Sequence, residues 1–237
     1  MRATISVIRT STLRREDGRD GATTSGWRVV AAFEVALAVA AVAVDWMIPA
    51  VVLTLVAGVS LAVRRRDPGT LGFRRPDSWP RLARQMAVFA LAWTLFDVAL
   101  LIPVTNHLSG RTQDISGFAD LQGNVAMLGI YLAAAWLLAA FCEEAAFRGY
   151  LLTRLTEVLG RGRAGRLAAV TASSALFGLL HTEQGVVGVV VAGCAGLVFT
   201  LLRYRFGTLW APVLAHGFDD TIGFLWFFLF GPFYGLW

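Results

Sequence analysis

The sequence predicts an all-α protein, a polytopic transmembrane bundle of about seven helices, with six to eight as the range. Three observations carry that reading. Of the 237 residues, 57% are hydrophobic and only 16% charged, with a mean hydropathy of +0.63, too little charge to cover a water-soluble domain. The apolar residues come as long runs broken by short charged connectors. Nowhere do polar and apolar residues alternate as a barrel requires, and an apolar run in lipid satisfies its backbone groups as a helix.

The first 26 residues are polar, hold five Arg, and read as a flexible cytoplasmic tail with no cleavable signal peptide. Apolar runs follow at 27–44, 47–63 and 83–103; with the loop to residue 124 they form an N-terminal transmembrane scaffold, 27–124. Pro49 sits near the start of the second run, where its missing N–H costs least. The connector RRRDPGTLGFRRPDSWPRLAR holds seven Arg and three Pro and is expected to be solvated, with room for a short interfacial stretch. The remaining runs, 125–147 with an extension toward 159, 167–182, 186–202 and 209–235, make up a helical core, 125–237. The fourth helix is expected to run unbroken to about 159 because no Gly or Pro interrupts Tyr150–Leu159. GRGRAGR at 160–166 is the next connector. Trp27, Trp46, Trp79, Trp210 and Trp237 fall near run ends, where indole rings favour the interface.

All 21 basic residues are Arg, the net charge is +5 and the pI about 10.0. In a soluble chain this would raise the question of nucleic acid. Here the Arg cluster at run ends, the membrane pattern, so no nucleic-acid partner is expected. With seven spans, 20 Arg face one side and only Arg111 the other, which places the first side in the cytoplasm and the protein, multi-pass, in a cell membrane. Cys142 and Cys194 lie in apolar runs and suggest no disulfide framework.

Charge inside a membrane is costly and marks function. Glu34, Asp97, Glu143, Glu144, Arg148, His181, Glu183, His216, Asp219 and Asp220 fall in or at the apolar runs. Glu144 and Arg148 are four apart and share a helical face, so an ion pair is expected. Phe177 and His181 share a face, and so do His216 and Asp220, where the carboxylate is placed to accept from the imidazole. By helical rise, Glu143 lies about 25 Å and His181 about 22 Å from their shared connector, at similar depth. His216 lies only about 14 Å from its own helix end, a poorer match that calls for a tilted or broken last helix. Asp97 is expected to meet an Arg, Glu34 a helix seam, Asp219 a local partner, and His107 an exposed loop.

A carboxylate and an imidazole around one water can deprotonate it for attack on a carbonyl, and a second imidazole can donate to the developing oxyanion. The same Glu, His, His set could hold zinc, although there is no HExxH and the spacing matches no standard zinc motif. There is no serine elbow and no phosphate loop.

These residues resemble the membrane-embedded glutamate proteases called the CPBP or Abi family, which include CAAX prenyl endopeptidases and bacterial immunity-type proteins. The first family motif reads here Glu143-Glu144-Ala145-Ala146-Phe147-Arg148, the second Phe177-Gly178-Leu179-Leu180-His181, the third His216-Gly217-Phe218-Asp219-Asp220, in the family's order. Asp220 stands where the prenyl proteases have asparagine. The resemblance covers roughly 130–230. It implies an intramembrane glutamic endopeptidase acting on a peptide or membrane-protein substrate, with Glu143, His181, His216 and Asp220 catalytic, Glu144, Arg148 and Phe177 supporting, and neither metal nor other cofactor. Glu143 and His181 would activate water, His216 and Asp220 would orient the carbonyl or hold the oxyanion, and Glu144 would reach toward His181. The rival readings are a noncatalytic immunity or binding protein, a zinc-dependent protease, and a small transporter with a carboxylate relay.

Overall fold

The computed structural model describes residues 20–44 and 48–231, with side chains from Gly26 onward. The expected tail up to Arg19, Trp46 and Trp237 lie outside the described residues. Helices follow one another as α1 (Asp20–Ala43), α2 (Pro49–Val63), α3 (Trp79–Ser109), α4 (Val125–Leu159), α5 (Arg163–Leu179), α6 (Gly185–Phe206) and α7 (Trp210–Phe230). No strand occurs among the described residues. The hydrophobic runs found in the sequence are thus helical. Five stretches, Gly26–Ala43, Trp79–Ser109, Val125–Leu159, Thr182–Phe206 and Trp210–Phe230, are long and apolar enough to cross a bilayer, as a multi-pass membrane protein requires. At 15 and 17 residues, α2 and α5 are shorter than such a span. Large apolar side chains such as Phe33, Leu55, Val59, Leu137, Leu197 and Leu229 stay exposed on the outside, a surface suited to lipid rather than water.

Three boundaries differ from the sequence reading. Helix α1 begins at Asp20, inside the expected tail. Helix α3 passes through Pro103 to Ser109, so His107 is on its exposed last turn rather than in a loop. A wide turn with i→i+5 bonding at Asp97–Leu101 precedes Pro103 and absorbs the hydrogen bond that proline cannot make. Third, α4 is unbroken as expected, but its middle, Ala135–Leu151, is wound in i→i+5 turns, with the Leu152 N–H bonded to the Phe147 carbonyl. The helix starts at Asn124, whose Oδ1 accepts from the Met127 N–H at 3.1 Å. It stops at Gly160, where φ is 99°.

Helix α4 is the hub. Its middle packs against α2 and α7, and its C-terminal turns against α1 and α5; α5 pairs with α6, and α3 with α7. One core cluster joins Leu53, Phe147, Leu151, Leu155, Val170 and Phe177 across three helices. Another joins Leu82 and Met86 of α3 to Phe199 of α6 and Ala211 and Ala215 of α7. Small residues set the approach of α5 and α6: a Cβ on Gly178 would lie 2.5 Å from the Val189 carbonyl and 3.2 Å from Gly193.

The connector between α2 and α3 is not merely solvated. It folds back, burying Leu71 against Tyr150 and setting Phe73 edge-on to Trp210, 5.6 Å between ring centroids. The Leu209 N–H donates to the Gly72 carbonyl at 2.7 Å, and the Thr208 hydroxyl to the Arg74 carbonyl at 2.6 Å. This clasp fixes where α7 begins. Two apolar residues among seven Arg gave no periodic signal from which their insertion could be read.

On the other side of the bundle, the loop after α3 is tied to the α5–α6 turn. Gln113 Nε2 donates to Gln184 Oε1 at 2.8 Å, and the Asp114 N–H to the Gln184 carbonyl at 3.1 Å.

Candidate active site

Glu144 is fully buried in the wide-turn stretch of α4, and one of its oxygens serves two partners. Glu144 Oε1 lies 3.0 Å from Arg148 Nη1 and 3.0 Å from His216 Nδ1. The ion pair expected from the four-residue spacing is therefore present, and a histidine from α7 completes it. The contact with His216 is a hydrogen bond. That with Arg148 is close but poorly aligned, so it acts through charge, and neither terminal guanidinium nitrogen of Arg148 has a directed partner. The guanidinium instead lies over the Phe177 ring at 3.8 Å, with Phe199 on α6 at 5.6 Å. Phe199 also packs on His216, 5.1 Å between centroids.

These contacts correct two expectations. Glu144 meets His216, not His181. The partner on the four-residue spacing, Asp220, stands 3.7 Å from His216 Nε2, beyond hydrogen-bond distance. Spacing along one helix reveals only same-helix neighbours, and the tighter partner comes from another helix. The depth mismatch estimated for His216 also disappears without any break in α7. The start of α7 is level with Gly149, where an added Cβ would lie 3.3 Å from Leu209, rather than with the end of α4 at Gly160. The helix ends are staggered, and only equal ends would have produced the mismatch.

His181 ends α5. Its Nδ1 is 3.0 Å from the Phe177 carbonyl, which can only accept, so Nδ1 carries the proton and Nε2 keeps its lone pair in the neutral ring. The Phe177 ring separates the two histidines, with its centroid 5.0 Å from His181 and 6.2 Å from His216. Glu143 is half-buried, and its Oε2 is closed off from solvent with no hydrogen-bond partner. It lies within electrostatic reach of His216, Asp220, Arg148 and Glu144, but shares no direct hydrogen bond with His181. Residues from three of the helices, α4, α5 and α7, thus converge. Three carboxylates face one guanidinium and two imidazoles, and a partnerless carboxylate oxygen sits beside a fixed Glu144–Arg148–His216 unit. Among the described residues, no group of three or more His, Cys, Asp or Glu is arranged to hold a metal ion.

The other membrane charges fall elsewhere. Asp219 reaches across to α3, where the Thr94 hydroxyl donates to it, rather than pairing locally. Asp97 meets no Arg; it sits in the wide turn of α3 with Oδ1 buried and unbonded. Glu34 is the centre of a second ionic cluster that the sequence did not reveal. Its carboxylate accepts from Ser60 Oγ at 2.6 Å and Arg64 Nη2 at 2.6 Å and lies 3.1 Å from Arg154 Nε. Glu157 pairs with Arg64 at 3.0 Å and Arg154 at 2.7 Å. Glu34 and Arg64 are on helices whose relative phase no spacing rule supplies. Phe199 was equally invisible, one aromatic residue in an apolar run. Cys142 and Cys194 are both free and half-buried.

Against known proteins, residues 125–222 match the family described as type II CAAX prenyl endopeptidase, Rce1-like. That stretch holds all three motifs and every residue converging on Glu144 from α4, α5 and α7. No curated protein and no solved structure matches the chain. The matched stretch, about two fifths of the chain, is similar to that endopeptidase family, and the motif helices it covers are those that assemble the buried Glu144 centre.

Proposed function

We propose that the protein is an intramembrane endopeptidase that hydrolyses a peptide bond with a glutamate- and histidine-activated water and needs no metal. The observation that carries the reading is the Glu143 carboxylate, one oxygen of which is shut away from solvent and unbonded beside the fixed Glu144–Arg148–His216 unit. Among the described residues no hydrogen bond uses that oxygen, which leaves it free to accept a proton. Glu143 and the lone pair on His181 Nε2 hold a water, and Glu143 takes its proton as the oxygen bonds to the scissile carbonyl carbon. The carbonyl π electrons move to oxygen. When the His216 ring carries both protons, Nδ1–H faces Glu144 and Nε2–H donates to that oxyanion, with Asp220 nearby to orient it. Collapse re-forms the carbonyl and breaks the C–N bond, and the proton on Glu143 passes to the leaving amine. Phe177 and Phe199 hold the guanidinium of Arg148 in place beside the Glu144 carboxylate that meets His216.

The substrate is a peptide or membrane protein. The Arg asymmetry supports an orientation with the N-terminus and the 64–84, 160–166 and 203–207 connectors in the cytoplasm of a bacterial cell.

The test compares wild type with Glu143→Gln in liposomes loaded with extracted membrane proteins, and reads new chain ends by mass spectrometry per folded molecule. New ends with wild type and none with the variant are expected. New ends from both at the same rate refute the glutamate mechanism. A folded wild type that makes none favours the noncatalytic binding reading.

A further inference from the structure

A second site lies away from the Glu144 centre, where the α2–α3 connector meets the α6–α7 turn. A cavity of about 260 Å³ opens there, and its lining includes Arg74, Arg75, Ser78, Arg81, Gly207 and Thr208. The guanidinium groups of Arg74, Arg75 and Arg81 make no ion pair among the described residues. Asp77, the one acid in the lining, offsets a single charge of the three. All three are exposed, so their charge is open to an anion arriving from solvent or the membrane surface.

The frame around the cavity is held rather than loose. The Arg74 carbonyl accepts from Thr208 Oγ1 at 2.6 Å, and the Gly72 carbonyl from the Leu209 N–H at 2.7 Å. Ser78 caps α3, which puts the positive end of that helix at the cavity wall. Trp79, partly exposed, meets Trp210 edge-on at 5.3 Å, an indole pair of the kind that sits at headgroup depth.

We propose that this cavity is a phosphate-binding site at the membrane surface, taking the phosphate of an anionic lipid headgroup or a free phosphate anion. Guanidinium forks bind phosphate oxygens in pairs, and basic pockets between helices at this depth suit anionic headgroups. Orienting the chain in the membrane requires only a number of Arg on one side. It does not require three of them around one cavity on a hydrogen-bonded frame. The Arg161, Arg163 and Arg166 connector, all exposed, provides an equal charge for comparison.

The experiment uses the full chain in neutral detergent with equal amounts of phosphatidylglycerol and phosphatidylcholine, and native mass spectrometry reads retained lipid. Wild type is expected to retain phosphatidylglycerol at least roughly tenfold over phosphatidylcholine. The Arg74→Gln/Arg75→Gln/Arg81→Gln variant should lose that preference, and Arg161→Gln/Arg163→Gln/Arg166→Gln should keep it. In a second arm, inorganic phosphate without lipid is added and thermal unfolding is followed. A rise in Tm for wild type and the connector variant, but not the cavity variant, identifies free phosphate as a ligand. Preference for phosphatidylglycerol with no effect of phosphate identifies the headgroup. Should the triple cavity variant not fold, Arg75→Gln and Arg81→Gln are measured singly, each expected to weaken the preference. Equal loss in the cavity and connector variants, or no response of wild type to either probe, overturns the proposal.

Discussion

Removing Glu144 should cost more stability than removing Arg148, although the two form one ion pair. Glu144 Oε1 touches both Arg148 and His216 at 3.0 Å, and the side chains of Glu144 and Arg148 are 0% and 1% exposed. Glu144→Leu leaves the guanidinium buried without the carboxylate it touches, and Glu143, which lies in electrostatic reach, makes no ion pair with it. Arginine cannot shed its proton to escape the cost, as histidine can. The loss expected for a broken buried pair, about 3–5 kcal/mol, applies in full, a factor on the order of 10² to 10⁴ in the folded-to-unfolded ratio. Arg148→Met keeps an unbranched chain over Phe177 and leaves Glu144 still hydrogen-bonded to His216, so its loss should fall below that range. The double variant removes both charges and should be more stable than Glu144→Leu alone. The assay is reversible unfolding in mixed micelles, with tryptophan fluorescence as the signal, for the four proteins of the cycle. If Arg148→Met costs as much as Glu144→Leu, or if the double variant loses the sum of the two, Glu144 is not the hub that the geometry makes it.

Glu34→Leu leaves Arg64 and Arg154 with Glu157 as their remaining carboxylate, so it should cost less than the about 3–5 kcal/mol of a buried pair broken outright but more than Glu157→Gln, a quarter exposed, which should cost less than about 1 kcal/mol; the same unfolding assay reads both. Gly178→Ala should push α5 from α6 and cost roughly 1–3 kcal/mol, whereas Gly129→Ala, which meets nothing within 4 Å, should be neutral or slightly stabilising, compared by Tm. Cleavage should persist after strong chelation; activity lost to the chelator and restored by stoichiometric zinc would reverse the metal-free reading.

Much of this was legible in the residues. Long apolar runs located the helices, since lipid permits an apolar run little else, although α1 begins seven residues before its run and α3 ends six residues after. The four-residue spacing of Glu144 and Arg148 gave their contact, and motif order gave the three helices that bring Glu143, Glu144, His181 and His216 into one region. What stayed hidden depends on phase and depth between helices. The choice of Glu144 over Asp220 as the closer partner of His216, the Glu34 cluster, and the burial of Leu71 all arise where segments far apart in sequence meet. The wide turns of Ala135–Leu151 were hidden for another reason. No residue type demands them, and neither Gly nor Pro marks where they begin.

Those turns bear on how the chain tolerates changes in length. A helix wound in i→i+5 loops can drop a residue and remain a helix by tightening one loop. In regular winding, each residue advances the azimuth by about 100°. A deletion between Glu144 and Arg154 that is not absorbed in this way would therefore preserve an apolar rod of nearly the same span while swinging Arg154 out of phase with Glu144. Glu144 could then face His216 only if Arg154 turned away from Glu34, or Arg154 could keep Glu34 only if Glu144 lost His216. The spacing between these two ionic centres is written in the number of residues between them, a constraint that no single substitution would reveal.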